Sequence, residues 1–186
     1  MGNLTVHLQD RFIDCCPPGW VAHREVRLLP PEFEQWVGYQ ARADILLEQP
    51  EQRRRLWIEF EVSRADPVAN HAKFATTHLF FPQRMGDVFV SMVSAHVVLG
   101  RVNLAANTIV LMRQVGMSAF QTTLLPTYSG EAIKKLNHLD LAQLKSNSDY
   151  LNFPGCLYLN TSVCSGFLKH CAVPPPGQVV FCFVLP

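Results

Sequence analysis

The sequence predicts an α/β domain with a central mixed sheet flanked by helices. Three observations carry that expectation. Strand-like runs follow one another at hairpin spacing between Trp20 and Ser63. A helix start at Ser63-Arg64-Ala65-Asp66-Pro67 comes directly after them, and a further apolar run, Asp87 to Leu99, follows that helix. Antiparallel strands followed by a strand–helix–strand step give a mixed sheet.

Taken in order, Leu4, Leu8 and Phe12, with Val6 and Ile13, have helical spacing and predict a helix from Leu4 to about Cys15. Cys16-Pro17-Pro18-Gly19 ends it. Trp20 to Leu29 alternates as a strand, with His23, Glu25 and Arg27 on one face, and Pro30-Pro31 breaks it. Val37 to Leu47 and Arg53 to Ser63 are the next strands, joined by a turn at Gln49-Pro50-Glu51, so the three form an antiparallel meander.

Asp66 suits a helix N-cap and Pro67 the first helical position, predicting a helix to about Phe80. On its projection Val68, Ala72, Ala75 and Leu79 form the core stripe, and Asn70, Lys73 and Thr77 lie opposite. Asp87 to Leu99 reads as a buried strand, Asn103 to Val115 as a helix ended by Gly116, and Ala119 to Leu125 as a short strand. Ala132 to Leu139 and Leu141 to Lys145 read as two short helices, the second with Asp140 and Gln143 as a capping box. The division expected is a core over 1–126 and a helical or irregular extension over 127–186 packed on it.

Composition narrows the class. At 186 residues, with 48% hydrophobic and 17% charged residues, the chain can bury one substantial core. A formal charge of +1 provides no global basic footprint, so any nucleic-acid contact rests on a local patch. No run is apolar enough for a membrane span and the N-terminus lacks a signal-peptide pattern, so a soluble cytoplasmic protein is the expectation. Cys15, Cys16, Cys156, Cys164, Cys171 and Cys182 form no CxxC pair and read as reduced thiols. Cys156, Cys164, His170 and Cys171 have a spacing unlike common zinc sites.

The chemistry concentrates in Ala41 to Lys73. Glu59 and Glu61 lie two apart in the strand-like LWIEFEVS, so both carboxylates share one face. Asp44 sits among the strand formers of ADILL, and pairing the two runs brings three carboxylates to one patch. Such a patch is costly unless compensated, and a hard divalent cation such as Mg2+ or Mn2+ is the natural compensator. The same spacing also suits an ordinary half-exposed strand face paired with Arg53, Arg55 or Arg42.

The succession of helix, Glu25 strand, ADILL, IEFEVS, helix and strand resembles the PD-(D/E)xK nuclease superfamily, the restriction-endonuclease-like fold, over roughly Leu4 to Leu99. The resemblance implies a metal-dependent endonuclease hydrolysing phosphodiester bonds in DNA. By position, Asp44 and Glu59 match the metal ligands, Glu61 falls where Lys is usual, and Glu25 is similar to an earlier acidic residue facing the site, where it would support the metal or hold a second ion. In members whose Lys has migrated onto the next helix, Lys73 would take the role, although the projection turns it away from the sheet. Glu61 would then complete the cluster or accept a proton. Arg42, Arg53, Arg54 and Arg55 are candidate phosphate contacts, and a homodimer would suit cleavage of both strands. Because Glu61 replaces the usual cation, a catalytically inactive relative that binds nucleic acid or a protein partner stays open. So does a structural module whose carboxylates merely pair with arginines.

Overall fold

The computed structural model describes residues 2–63 and 67–146. A single five-stranded sheet forms the middle layer, in the spatial order β1-β2-β3-β4-β5. The strands are β1 (Val21–Arg27), β2 (Arg42–Gln49), β3 (Arg54–Glu61), β4 (Asp87–Ser94) and β5 (Ala119–Leu124). The first three are antiparallel neighbours, as hairpin spacing predicts, while β3–β4 and β4–β5 are parallel. Each parallel step crosses over through a helix, α3 (Pro67–Phe80) and then α4 (Leu99–Gln114). Two successive crossovers of the usual right hand put both helices on one face of the sheet.

The other face is covered by α1 (Asn3–Asp14), α5 (Gly130–His138) and α6 (Leu141–Ser146). Alternation along β3 divides the core in two. Leu56, Ile58 and Phe60 pack with Leu4, Leu8 and Phe12 of α1, whereas Trp57 faces Phe74 of α3 and Ile109 and Met112 of α4. Ile133 of α5 and Leu144 of α6 are fully buried in the α1-side cluster, so residues 130–146 complete the core. The predicted capping box opens α6: the Gln143 N–H donates to Asp140 Oδ1 at 2.7 Å and the Asp140 N–H to Gln143 Oε1 at 3.0 Å. The Cys-rich remainder, and Asp66 as N-cap, lie outside the described residues.

Three expectations are corrected. Val37 to Leu47 is not one strand, because Pro31–Val37 forms a helix, α2, which ends at Gly38 in the left-handed region at φ +77. Pro30-Pro31 starts this helix as well as ending β1, since a proline at the first helical position lacks only an N–H that would have no partner there. The Asp87–Leu99 run is strand only to Ser94, and its last residue opens α4. A continuous apolar run does not reveal where a buried strand gives way to a buried helix. Finally, α3 is rotated from its projection. Pro67, His71, Phe74 and Thr77 are buried, while Ala72 and Leu79 are exposed.

Candidate active site

Strand register draws the site together. The β2–β3 ladder pairs Gln49–Arg54 through Ile45–Ile58 and stops there. Beyond Ile45, β2 stays paired with β1, and beyond Ile58, β3 stays paired with β4. The two strands therefore part at Asp44 and Glu59, which are in register across the fork. Asp44 fills the opening: its Oδ2 accepts the Phe60 N–H at 2.7 Å, a backbone donor freed by the end of the ladder. Its carboxyl group is also hydrogen-bonded to that of Glu59.

The register of β1 on β2 likewise places Glu25 opposite Asp44, between the pairs Arg24–Ile45 and Val26–Ala43. Glu25 has φ +50, a left-handed conformation that few non-glycine residues adopt. Backbone strain of this kind, of order 1–3 kcal/mol, collects at functional sites. Glu25 meets Asp44 through Gln9 of α1, whose Nε2 donates to Glu25 Oε1 at 2.7 Å and to Asp44 Oδ1 at 3.5 Å. Sequence reasoning missed Gln9. The available signal was a polar residue one turn from Thr5 and beside the Leu4–Leu8–Phe12 stripe.

From the opposite side, α3 supplies two polar groups. Asn70 Nδ2 donates to Glu61 Oε1 at 2.9 Å, and Lys73 Nζ donates to Asn70 Oδ1 at 3.4 Å. The Lys73 ammonium also lies close enough to Glu59 to draw its pKa down. The projected orientation of Lys73 is thus overturned: the rotation of α3 turns Asn70 and Lys73 toward the carboxylates. Alanines at 69, 72 and 75 define no strong stripe, and burying Phe74 with His71 decides the helix's facing.

Electrostatics match a site built to receive positive charge. Burial pushes Asp44 from its ordinary 3.8 up to about 6; the nearby Glu25 charge adds to this and the Phe60 N–H opposes it. Glu59 is raised well above its ordinary value, first by burial, then by Asp44 and Glu61. Side-chain hydrogen bonding between two such groups requires a shared proton, because two ionised carboxylates in contact repel. Glu59 and Glu61 are 5% and 3% exposed, which excludes the solvated-face reading. Of the arginines offered as partners on that face, Arg55 is bound to Asp87 and Arg42 to Gln40.

The arginine candidates divide by position. Arg42 is exposed at the β2 end nearest the fork. Arg53, Arg54 and Arg55 stand at the opposite end of β3 from Glu61. Arg55 donates from Nε and Nη2 to Asp87 at 2.6 Å each and lies 5.1 Å over the Trp57 ring. Cys15 and Cys16 are free and half-buried.

The residues present fit a divalent cation. Among the described residues no group of three or more His, Cys, Asp or Glu is arranged as a metal cage. Magnesium does not ask for one, since one or two carboxylates with waters and substrate phosphate complete its oxygen shell. Half-buried Asp44 and buried Glu59 offer two oxygen donors, and a cation there would displace the proton that their raised pKa values favour. No known protein family, curated protein or solved structure matches this chain. Among the described residues no helix is long and apolar enough to cross a membrane.

Proposed function

We propose that the protein is a metal-dependent endonuclease that hydrolyses phosphodiester bonds in DNA, built on a restriction-endonuclease-like arrangement of its α/β core. The observation that carries the reading is the hydrogen-bonded carboxyl pair of half-buried Asp44 and buried Glu59, in register where β2 and β3 part. A carboxyl pair at such a cost in buried charge calls for a cation.

Asp44 and Glu59 would hold Mg2+ or Mn2+, with Glu25 supporting Asp44 through the Gln9 amide. Bound there, the cation supplies Lewis acidity toward a phosphoryl oxygen and makes water more acidic. In the hydrolysis, a water oxygen bonds to phosphorus, the bridging P–O ester bond breaks, its leaving oxygen takes a proton from solvent to become a hydroxyl, and the proton released by the attacking water must be accepted. Glu61, fixed by Asn70, is the acceptor. Lys73 takes the part of the cation missing at position 61: it steadies charge on the phosphoryl group and, against the larger effect of burial, favours the ionised form of Glu59. The phosphate is positioned by Arg42, exposed near the fork.

The test is incubation with plasmid and short duplexes in Mg2+ or Mn2+, beside Asp44→Ala and Glu59→Ala. Cleavage by the wild type alone supports the reading, and cleavage that survives both substitutions removes the assigned site. Binding without cleavage in either metal favours a catalytically inactive relative, the reading that Glu61 in place of lysine keeps open. Mass measurement with and without duplex shows whether a homodimer forms on DNA.

A further inference from the structure

Beside the carboxylates, on the same face of the sheet, a groove of about 470 Å³ runs under the C-terminal half of α3. That volume is in the range of sites that hold small molecules or single nucleotides. Its wall begins at Trp57, two residues before Glu59 on one face of β3, a separation of roughly 7 Å. Phe74, next in sequence to Lys73, forms part of the opposite wall. The outer end is aromatic, with Phe80 and Phe81 lining the groove at 41% and 37% exposure. Phe80 also packs edge-on against Trp36, which is 68% exposed, with ring centroids 5.1 Å apart.

Arginines outnumber carboxylates on the described walls. Arg27, Arg55 and Arg84 line the groove, and Asp87 is the one carboxylate among its lining residues. Asp87 is consumed by Arg55 Nε and Nη2 and by the Arg84 N–H, leaving Arg55 Nη1 and the exposed Arg84 guanidinium. Arg27 is only loosely held by Glu34, at 3.7 Å. His78 contributes no charge, since its Nδ1 accepts the Gln83 N–H and its Nε2 donates to the Val115 carbonyl.

Aromatic faces with arginines between them are how proteins hold unpaired nucleotides: bases stack, and guanidinium groups take the phosphates. A closed duplex presents no base face to such a groove. We infer that the groove binds the bases of a single strand next to the scissile phosphate, so that the substrate is single-stranded DNA or the unpaired arm of a branched one. The inference rests on the nuclease reading for which phosphate is cut, but not for what the groove binds.

Binding is therefore measured apart from cleavage, by anisotropy of a short labelled oligothymidylate and of a blunt duplex on the full chain in EDTA. The single strand should bind about tenfold or more tighter than the duplex, weaken with salt and quench tryptophan fluorescence. Arg84→Glu and Phe80→Ala should each lower single-strand affinity by about fivefold or more. The Lys134→Glu control, at an exposed residue of α5 on the other face of the sheet, should not. Because Arg84 and Phe80 are at the surface, melting curves should show both variants folded. Equal affinity for duplex, or full affinity in both groove variants, overturns the inference even if the enzyme cuts DNA. Strand binding that persists where Mg2+ and Mn2+ give no cleavage overturns the nuclease reading and leaves the groove assigned.

Discussion

Gln9 is 2% exposed, and its single amide is shared between two acidic neighbours. Gln9→Leu keeps the bulk of the side chain and removes the donor, so Asp44 loses one of the bonds that orient it. Loss of such an outer partner typically weakens metal binding about 10–100-fold, and Mn2+ titration of this variant should fall in that range. Lys73 is tested through the rate. Lys73→Met should lower cleavage about a hundredfold or more if it stabilises developing charge, and leave the melting temperature nearly unchanged. Lys73→Arg should recover part of the loss. Gln9 could not have been assigned from the chain alone, because it belongs to a helix remote in sequence; Lys73 was a candidate there, but its facing depends on which weak stripe α3 buries. Asp44, Glu59 and Glu61, by contrast, were legible, because period-two alternation fixes which side chains share a face of a strand.

At the scale of elements, the expected division between a core over 1–126 and an extension is the point to test. The meander and the Pro67 helix start were readable from turn chemistry and strand alternation. Packing of the 127–186 extension on the core was expected, but not that α5 and α6 cover α1, since nothing in their own sequences says so. Ile133 and Leu144 are fully buried there. Ile133→Ala or Leu144→Ala should each cost about 2–5 kcal/mol in urea unfolding, the usual cost of removing buried methylenes. A chain ending at residue 126 should fail to unfold cooperatively, because the α1 leucines would lose their cover. A turn residue gives a further check: Gly86 sits at φ +97, and a Cβ there would come 2.5 Å from the Arg53 carbonyl oxygen. Gly86→Ala should therefore destabilise the entry to β4, although the residue is remote from the carboxylates.

For the whole molecule, the raised carboxyl pKa values turn the site into a pH-dependent load on stability. The folded state holds protons on Asp44 and Glu59 more tightly than the unfolded chain, so their contribution is favourable at low pH and is lost as pH rises. For Asp44 the loss runs from about pH 4 to about pH 6, and for Glu59 it continues above its ordinary range. His7 acts oppositely: burial lowers its pKa, so it favours the folded state as pH rises toward 6.5. Comparing the wild type with an Asp44→Asn, Glu59→Gln variant cancels that contribution. The variant should match the wild type near pH 4 and be more stable at pH 7, by on the order of 2–3 kcal/mol, since each tenfold difference in proton affinity is worth about 1.4 kcal/mol.

A divalent cation should remove the same load, and it must displace the shared proton to do so. Calorimetric titration of the full chain with Mn2+ at pH 6, in two buffers of different ionisation enthalpy, reads both effects at once. The account predicts saturable binding with net proton release, abolished by Asp44→Asn and by Glu59→Gln. Binding that survives both substitutions, or no binding to the wild type at millimolar Mn2+, would contradict it.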